Sequence, residues 1–283
     1  MTKTRILAAL VMAPAVIAAV LLLPTKWLML LSALVFLAAL WEWLKLSDIE
    51  DALSRSILLA CNLALMVALV WGSRSPHVGA LPLFQLAVVL GVVWWLLALL
   101  WLRHYDFASS HHGNARVFKL AAGTAAVVPA WCALAVIHSS EPHGHRWLLL
   151  ALLLVWAADS GAYFAGRKFG GKWFAGRKLA PRISPNKTLE GLAGGVALAM
   201  LVAVVGALVI GTPAAQLPAV ALVALFTVLF SVAGDLFESL LKRHVGMKDS
   251  GHLIPGHGGV LDRIDSVLAA LPVFALGKIW LGF

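Results

Sequence analysis

The sequence predicts an all-α, polytopic integral membrane protein of about nine transmembrane helices with its N-terminus in the cytoplasm. Three observations predict it. Hydrophobic residues fill 61% of the 283 positions and charged residues 12%, against about 45–50% and about 25% in soluble domains. Apolar runs of about 20 residues, each able to cross a hydrocarbon core about 30 Å thick, recur along the whole chain. Backbone groups in lipid must be satisfied within their own segment, so these runs are helices. Finally, Lys and Arg gather on the loops that share a side with the N-terminus, as cytoplasmic loops do.

The spans fall at 6–24, 27–44, 57–73, 81–101, 117–137, 147–166, 190–211, 217–240 and 266–283. The first follows Lys3 and Arg5 in the manner of a signal peptide. Eight more spans follow it, so a retained signal-anchor helix is expected and the mature chain is expected to begin near Met1. The inner segments hold Lys45, Arg55, Arg103, Arg116 and Lys119, then two dense groups at 167–187 and 242–263. Only Lys26, Arg74, Arg146 and Lys278 fall outside or near an outer end.

The net charge of +9 therefore lies on one face, where it enforces topology, attracts anionic headgroups or gathers a polyanionic substrate. A nucleic-acid partner is not expected, because no soluble basic domain exists to present one. Cys61 and Cys132 lie in separate spans and read as small core residues, with no disulfide or zinc spacing. Trp27, Trp41, Trp43, Trp71, Trp101 and Trp147 sit near span ends, which predicts an interfacial aromatic belt. The paired loop histidines His111 and His112, like His143 and His145, read as solvated.

Chemistry concentrates in the second half. Residues 1–146 form a transmembrane scaffold or lipid entry, and residues 147–283 a catalytic region with loops 167–189 and 242–265, the whole being one membrane domain. Asp159 lies near the inner end of span six, with Tyr163 four residues on and on the same face. A charge at that depth costs about 2.5 kcal/mol or more, so Asp159 pairs a base, caps a helix, coordinates a cation or orients substrate. In the loop that follows, Gly170 and Gly171 permit a turn whose N–H groups approach an anion. Ser184, Lys187 and Thr188 then lead into Glu190 at a helix N-terminus, a ready phosphate site. Gly191 and Gly195 have the spacing of close helix packing.

Asp235, Glu238, Ser239, Lys242 and Arg243 share one face of span eight, which suits metal-plus-phosphate binding or an internal ladder from Glu238 to Lys242. In KDSGHLIPGHGGVLDRID, Pro255, Gly256, Gly258 and Gly259 turn the backbone tightly around His257. Asp262 and Asp265 are three apart, so both carboxylates can face one point with a cation between them. Mg²⁺ takes such oxygen ligands and bridges substrate phosphates. The alternative is two aspartates placed for the helix dipole.

The run S-x-L-K-R-x4-K-D-x-G-x2-I-P-x-H-G-G-V-x-D-R-I-D from Ser239 to Asp265 resembles the signature of the phosphatidate cytidylyltransferases, the CDP-diacylglycerol synthases. D-S-x-A-Y at Asp159–Tyr163 and S-P-x-K-T-x-E-G at Ser184–Gly191 resemble that family too. The resemblance covers roughly residues 150–270. It implies a bacterial inner-membrane enzyme that makes CDP-diacylglycerol and pyrophosphate from CTP and phosphatidate with Mg²⁺ at the cytoplasmic face. It implies metal ligation by Asp235 and Asp262 with Asp265, and a catalytic set completed by Lys242, Arg243, Lys248, Asp249, His257 and Arg263. Substrate contacts then fall to Asp159, Tyr163, Ser184, Lys187, Glu190, Ser239, Gly258 and Gly259. The partners expected are CTP, phosphatidate and bilayer lipids, with a homo-oligomer left open. The rivals are a cytidylyltransferase or CTP-dependent kinase acting on another lipid, and a cation-coupled transporter. The last expects internal repeats and carboxylates at mid-depth, and the sequence has neither.

Overall fold

The structure, a computed structural model, describes residues 2–73, 82–110, 113–174, 176–253 and 258–283, with side chains from Leu10 onward. Its helices are α1 (Thr2–Leu22), α2 (Thr25–Leu46), α3 (Ala52–Gly72), α4 (Pro82–Arg103), α5 (Asn114–His138), α6 (Gly144–Phe169), α7 (Leu189–Ile210), α8 (Leu217–His244) and α9 (Leu261–Leu281). Among the described residues eight, α2 to α9, are long and apolar enough to cross a membrane, and α1 has an apolar stretch from Leu10 to Leu22. The chain is thus a helical, polytopic membrane protein. Arg74, His111, His112, Pro255, Gly256 and His257, and the side chains of Lys3 and Arg5, lie outside the described residues.

Span nine begins earlier than expected, at Leu261, so both Asp262 and Asp265 belong to the first turns of α9. The loop after α6 is also more regular than expected. A short antiparallel hairpin, β1 (Lys178–Ala180) and β2 (Ser184–Thr188), pairs Lys178 with Thr188 and Ala180 with Ser184. Pro181 turns the chain, Ile183 buries its side chain, and Ile183 donates its N–H back to Ala180 O at 3.2 Å. Thr188 then caps α7 by accepting from Gly191 N at 3.0 Å, satisfying one of the orphan donors of a helix start. Asp51 does the same for α3 through Ser54 N at 2.7 Å, and that N–H holds its carboxyl below the usual carboxylate range.

Helix α5 is the hub: 78% of its span is buried, against 11% for α3, which therefore faces lipid. α5 packs on α2, α4, α6 and α9, while α6 with α7 and α8 with α9 form the two most extensive pairs. α6 and α7 approach closely where the Gly191–Gly195 spacing predicts it. A Cβ at Gly191 would lie 3.0 Å from Ala162 O, and one at Gly161 would lie 2.6 Å from Gly194 O.

The tryptophans correct the belt expectation. Trp27 and Trp71 are exposed, as an interfacial position requires, but Trp43, Trp101 and Trp147 are buried with Trp95 and Trp131. Trp43, Trp94, Trp95 and Trp101 surround Phe237, with ring centroids 5.2–6.0 Å away. Two of the indole N–H groups answer distant backbone carbonyls: Trp43 that of Lys119 at 2.9 Å, and Trp95 that of Leu268 at 3.1 Å. The second has a specific cause. Pro272, inside α9, has no N–H to offer Leu268 O four residues back, and hydrocarbon supplies no substitute.

A second proline explains a second correction. Pro24 leaves Val20 O without its helical donor, and both His138 Nε2 (3.0 Å) and His145 Nδ1 (3.1 Å) lie on that oxygen. His145 is therefore part of the packing, its ring 3.9 Å from that of His138, whereas His143 is exposed as expected.

Trp95→Phe should leave Leu268 O unsatisfied, at a cost of about 1–3 kcal/mol. Thermal melts in detergent should show a lower midpoint for Trp95→Phe, and a smaller loss when Pro272→Ala restores the N–H in the same chain.

Candidate active site

The carboxyl ends of α2, α6 and α8 and the amino ends of α7 and α9 meet at one side of the bundle, as alternating antiparallel spans require. α7 and α9 thus aim their positive dipole ends at this region. Lys242, Arg243 and His244 occupy the last turn of α8, where cations complement the opposite end.

Two connected groups of side chains form there. The first lines a cavity of about 610 Å³ between α6, α7, α8 and the hairpin. Asp159, Tyr163 and Arg167 come from α6, Ser184, Asn186 and Lys187 from β2, and Asp235 from α8. Leu192 and Val196 of α7, with Val228 and Val232 of α8, line its apolar part. Lys187 pairs with Asp235, both side chains being about 30% exposed or less. Ser239, one turn on, places its hydroxyl 3.4 Å from the other Asp235 oxygen. The Tyr163 hydroxyl accepts from Arg167 at 3.1 Å. Asp159 and Asp235 sit about nine or ten residues before the carboxyl ends of their helices, hence about 14 Å from those ends along the axis at 1.5 Å per residue.

The second group lies between α8 and α9. Lys242 Nζ stands 2.7 Å from Asp262 Oδ1 and 2.5 Å from Glu238 Oε2. Asp262 Oδ2 accepts from the N–H groups of Ser250 (3.0 Å) and Gly259 (2.8 Å). Gly258 is left-handed at φ 84°, and a Cβ there would come 2.8 Å from the same Asp262 oxygen and 3.7 Å from the Asp249 Cβ. Asp265 lies against Gly234, whose position a Cβ would share with Asp265 O at 2.5 Å, and its carboxyl accepts from Ser266 N at 2.6 Å. It is within electrostatic range of Asp235, Asp159 and Lys187, which joins the two groups into one field.

The structure therefore brings together Asp159, Tyr163, Ser184, Lys187, Asp235, Ser239, Lys242, Gly258, Gly259, Asp262 and Asp265. Arg263 is exposed and within range of Asp159, and Lys248 and Asp249 are exposed beside the loop. Arg243 is engaged elsewhere: its Nε donates to Ile183 O at 3.2 Å and ties the hairpin to α8. Glu190 turns from the cavity as well. Its Oε1 accepts from the N–H groups of Gly171 (3.1 Å), Trp173 (3.2 Å) and Phe174 (3.1 Å). The glycine turn does cradle an anion, as Gly170 and Gly171 predict, and that anion is the protein's own carboxylate.

Whether the residues fit a divalent cation depends on their donors. Among the described residues no three of His, Cys, Asp and Glu converge on one point. The donors present are hard carboxylate oxygens, and Glu238 Oε1 is buried with no hydrogen-bond partner. Mg²⁺ ordinarily takes one or two protein carboxylates and completes its shell with water and substrate phosphates, so the donor set fits.

One side chain escaped the sequence reading altogether. Glu42, on α2, is 3% exposed and reaches the loop before α9, accepting from Ser250 Oγ at 2.9 Å and Leu261 N at 2.8 Å.

Fold and site define a polytopic membrane protein with a lysine–carboxylate site at one ends-of-helices face, opening into an amphipathic cavity. The chain belongs to the cytidylyltransferase family, whose model matches residues 3–279. It is 39% identical over 97% of its length to a phosphatidate cytidylyltransferase of Pseudomonas aeruginosa, 96% of which is covered. It is 35% identical to one from Haemophilus influenzae over 97% of this chain and 98% of that one. A Bacillus subtilis phosphatidate cytidylyltransferase matches at 46% over 48% of each chain. Membership in a nucleotidyltransferase family sets transport aside.

Glu190→Ala should release the three N–H groups and loosen the basic loop. Trypsin cleavage at Lys172 and Arg177 in the native state is expected to quicken about tenfold, equivalent to about 1.4 kcal/mol of local opening, and Glu190→Gln to fall between the two.

Proposed function

We propose that this chain is a phosphatidate cytidylyltransferase of a bacterial inner membrane, converting CTP and phosphatidate to CDP-diacylglycerol and pyrophosphate at the cytoplasmic face. The observation that supports this reading best is the cavity itself. One part is lined by Lys187, Asp235, Asp159 and Arg167, and another by Leu192, Val196, Val228 and Val232, which matches a phosphate on a hydrocarbon tail. The one-sided Lys and Arg bias supports the cytoplasmic orientation.

In the reaction an oxygen of the lipid phosphate attacks the α-phosphorus of CTP, and the bond from that phosphorus to the pyrophosphate oxygen breaks. The lipid phosphate is ionised near neutrality, so no strong base is needed, and positioning with electrostatic stabilisation does most of the work. Lys187 and Arg167 offer cations to the lipid phosphate where it enters from the bilayer. Lys242, held between Glu238 and Asp262, keeps a cation at the α8–α9 junction where charge on the nucleotide phosphates must be offset. The amino end of α9 adds its dipole there. Asp235, Asp262 and Asp265 are the residues that would hold Mg²⁺, which when bound supplies charge neutralisation for the phosphates and the leaving pyrophosphate.

Purified protein in detergent, given radiolabelled CTP, phosphatidate and Mg²⁺, should release CDP-diacylglycerol and pyrophosphate in equal amounts. Omitting Mg²⁺ should abolish turnover, and Asp262→Asn should lower it at least about 100-fold, about 2.7 kcal/mol, while the protein stays folded. No product from phosphatidate with folded protein would overturn the assignment and direct attention to other lipid phosphates.

A further inference from the structure

Helix α9 starts without a local cap. Its preceding residue is Val260, whose side chain accepts no hydrogen bond, yet the first four N–H groups of a buried helix need partners. Asp262 Oδ2 bends back to serve Gly259 N. Leu261 N, fully buried, is served by Glu42 from α2, some 219 residues away in sequence.

The same Glu42 oxygen accepts from the hydroxyl of Ser250, and the N–H of Ser250 donates to Asp262. Glu42 is therefore one residue removed from the carboxylate that the proposed chemistry depends on, and it holds both backbone segments that flank it. Gly251 and Gly259 close around it so tightly that a Cβ at either would stand 2.7 Å from the Glu42 carboxyl carbon. Their hydrogens leave just the room the carboxylate occupies. Glu42 does not line the cavity between α6, α7 and α8; it reaches the site through Ser250 and the start of α9.

We propose that Glu42 is a positioning residue for the reaction, a cap supplied in trans that fixes Ser250, Gly259 and the first turn of α9 so that Asp262 and Lys242 keep their geometry. The proposal rests on the cytidylyltransferase reading for its kinetic consequence, not for its structural one. Residues that orient a ligand-bearing carboxylate typically cost about 10–100-fold when removed. Because the requirement is for an acceptor of the right shape, a glutamine should meet most of it.

The test compares wild type, Glu42→Gln, Glu42→Ala, Ser250→Ala and the Glu42→Ala/Ser250→Ala double variant, each in full-length protein. Turnover is measured with CTP, phosphatidate and Mg²⁺, and amide hydrogen exchange is followed at Gly259–Leu261. Glu42→Ala and Ser250→Ala should each lower kcat about 10–100-fold, with KM for phosphatidate changed less than about twofold. The double variant should lose no more than Glu42→Ala alone, because both substitutions break one linkage. Glu42→Gln should recover to within about fivefold of wild type, and exchange should quicken in the alanine variants but not in Glu42→Gln. Losses that multiply in the double variant, or a Glu42→Gln as inactive as Glu42→Ala with unchanged exchange, would overturn the proposal. If Glu42→Ala fails to fold, Glu42→Gln and Ser250→Ala decide it alone. A wild type that makes no CDP-diacylglycerol would sink the functional reading, while the exchange comparison would still judge the cap.

Discussion

A carboxylate inside a hydrocarbon-clad bundle must meet a cation or a set of N–H donors, and the architecture at the charged face follows from that demand. Removing one partner of a buried ion pair leaves an uncompensated charge that costs about 3–5 kcal/mol. Five of the carboxylates here are accordingly met from a different element. Asp235 of α8 takes Lys187 of the hairpin, and Asp262 of α9 takes Lys242 of α8. Asp48, just beyond α2, takes the fully buried Lys119 of α5 at 2.7 Å. Glu42 of α2 takes the start of α9, and Glu190 of α7 takes the loop after α6. Satisfying the charges and assembling the bundle are therefore the same event.

Helices with unbroken apolar faces have no hydrophobic reason to choose one neighbour over another in lipid, so packing and polar pins decide. The indoles of α2 and α4 around Phe237 set where α8 stands. Trp95 further ties α4 to the α9 carbonyl that Pro272 abandons. Gly91 lets α4 pass against Pro129 of α5 and Pro272 of α9, where a Cβ would lie 2.5 Å from Pro129 Cβ and 3.4 Å from Pro272 Cβ. Helices α2, α4 and α5 thereby hold α8 and α9 in the relation that brings Lys242 to Asp262.

The fold was legible because spans announce themselves by length: the helices were readable to within about five residues, and among the described residues eight of them are long and apolar enough to cross a membrane. Which side of a span faces protein was not, since lipid-facing and core-facing positions are equally apolar. That is why Trp43 and Trp101 read as belt residues and proved to be core. In the site, Asp235, Lys242, Asp262 and Asp265 were legible because charges at such density have no other reason to be near a membrane. The glycine turn at Gly170–Gly171 announced an anion but not which one, and a carboxylate 19 residues on filled it. Glu42 was illegible: a lone Glu between two Trp at a span end looks like any interfacial residue, and its partners lie 208 and 219 positions away.

The placement of charges along α8 separates two tasks on one helix. Asp235 turns to the cavity shared with α6 and α7, while Glu238 and Lys242, one and two turns on, turn to α9. On the proposed reading the lipid phosphate belongs to the first side and the nucleotide to the second, and they must meet at one phosphorus. A helix that displays both groups along one face within two turns sets their separation rigidly, at 1.5 Å of rise per residue. Loops could not hold that spacing, because they yield at small cost. Asp265, opposite Gly234 and within the fields of both Asp235 and Glu238, sits where the two sides join. The absence of a Cβ at Gly234 lets α9 come close enough to put it there. On that reading the backbone contact between α8 and α9 at Gly234 and Asp265 fixes where the two substrates meet.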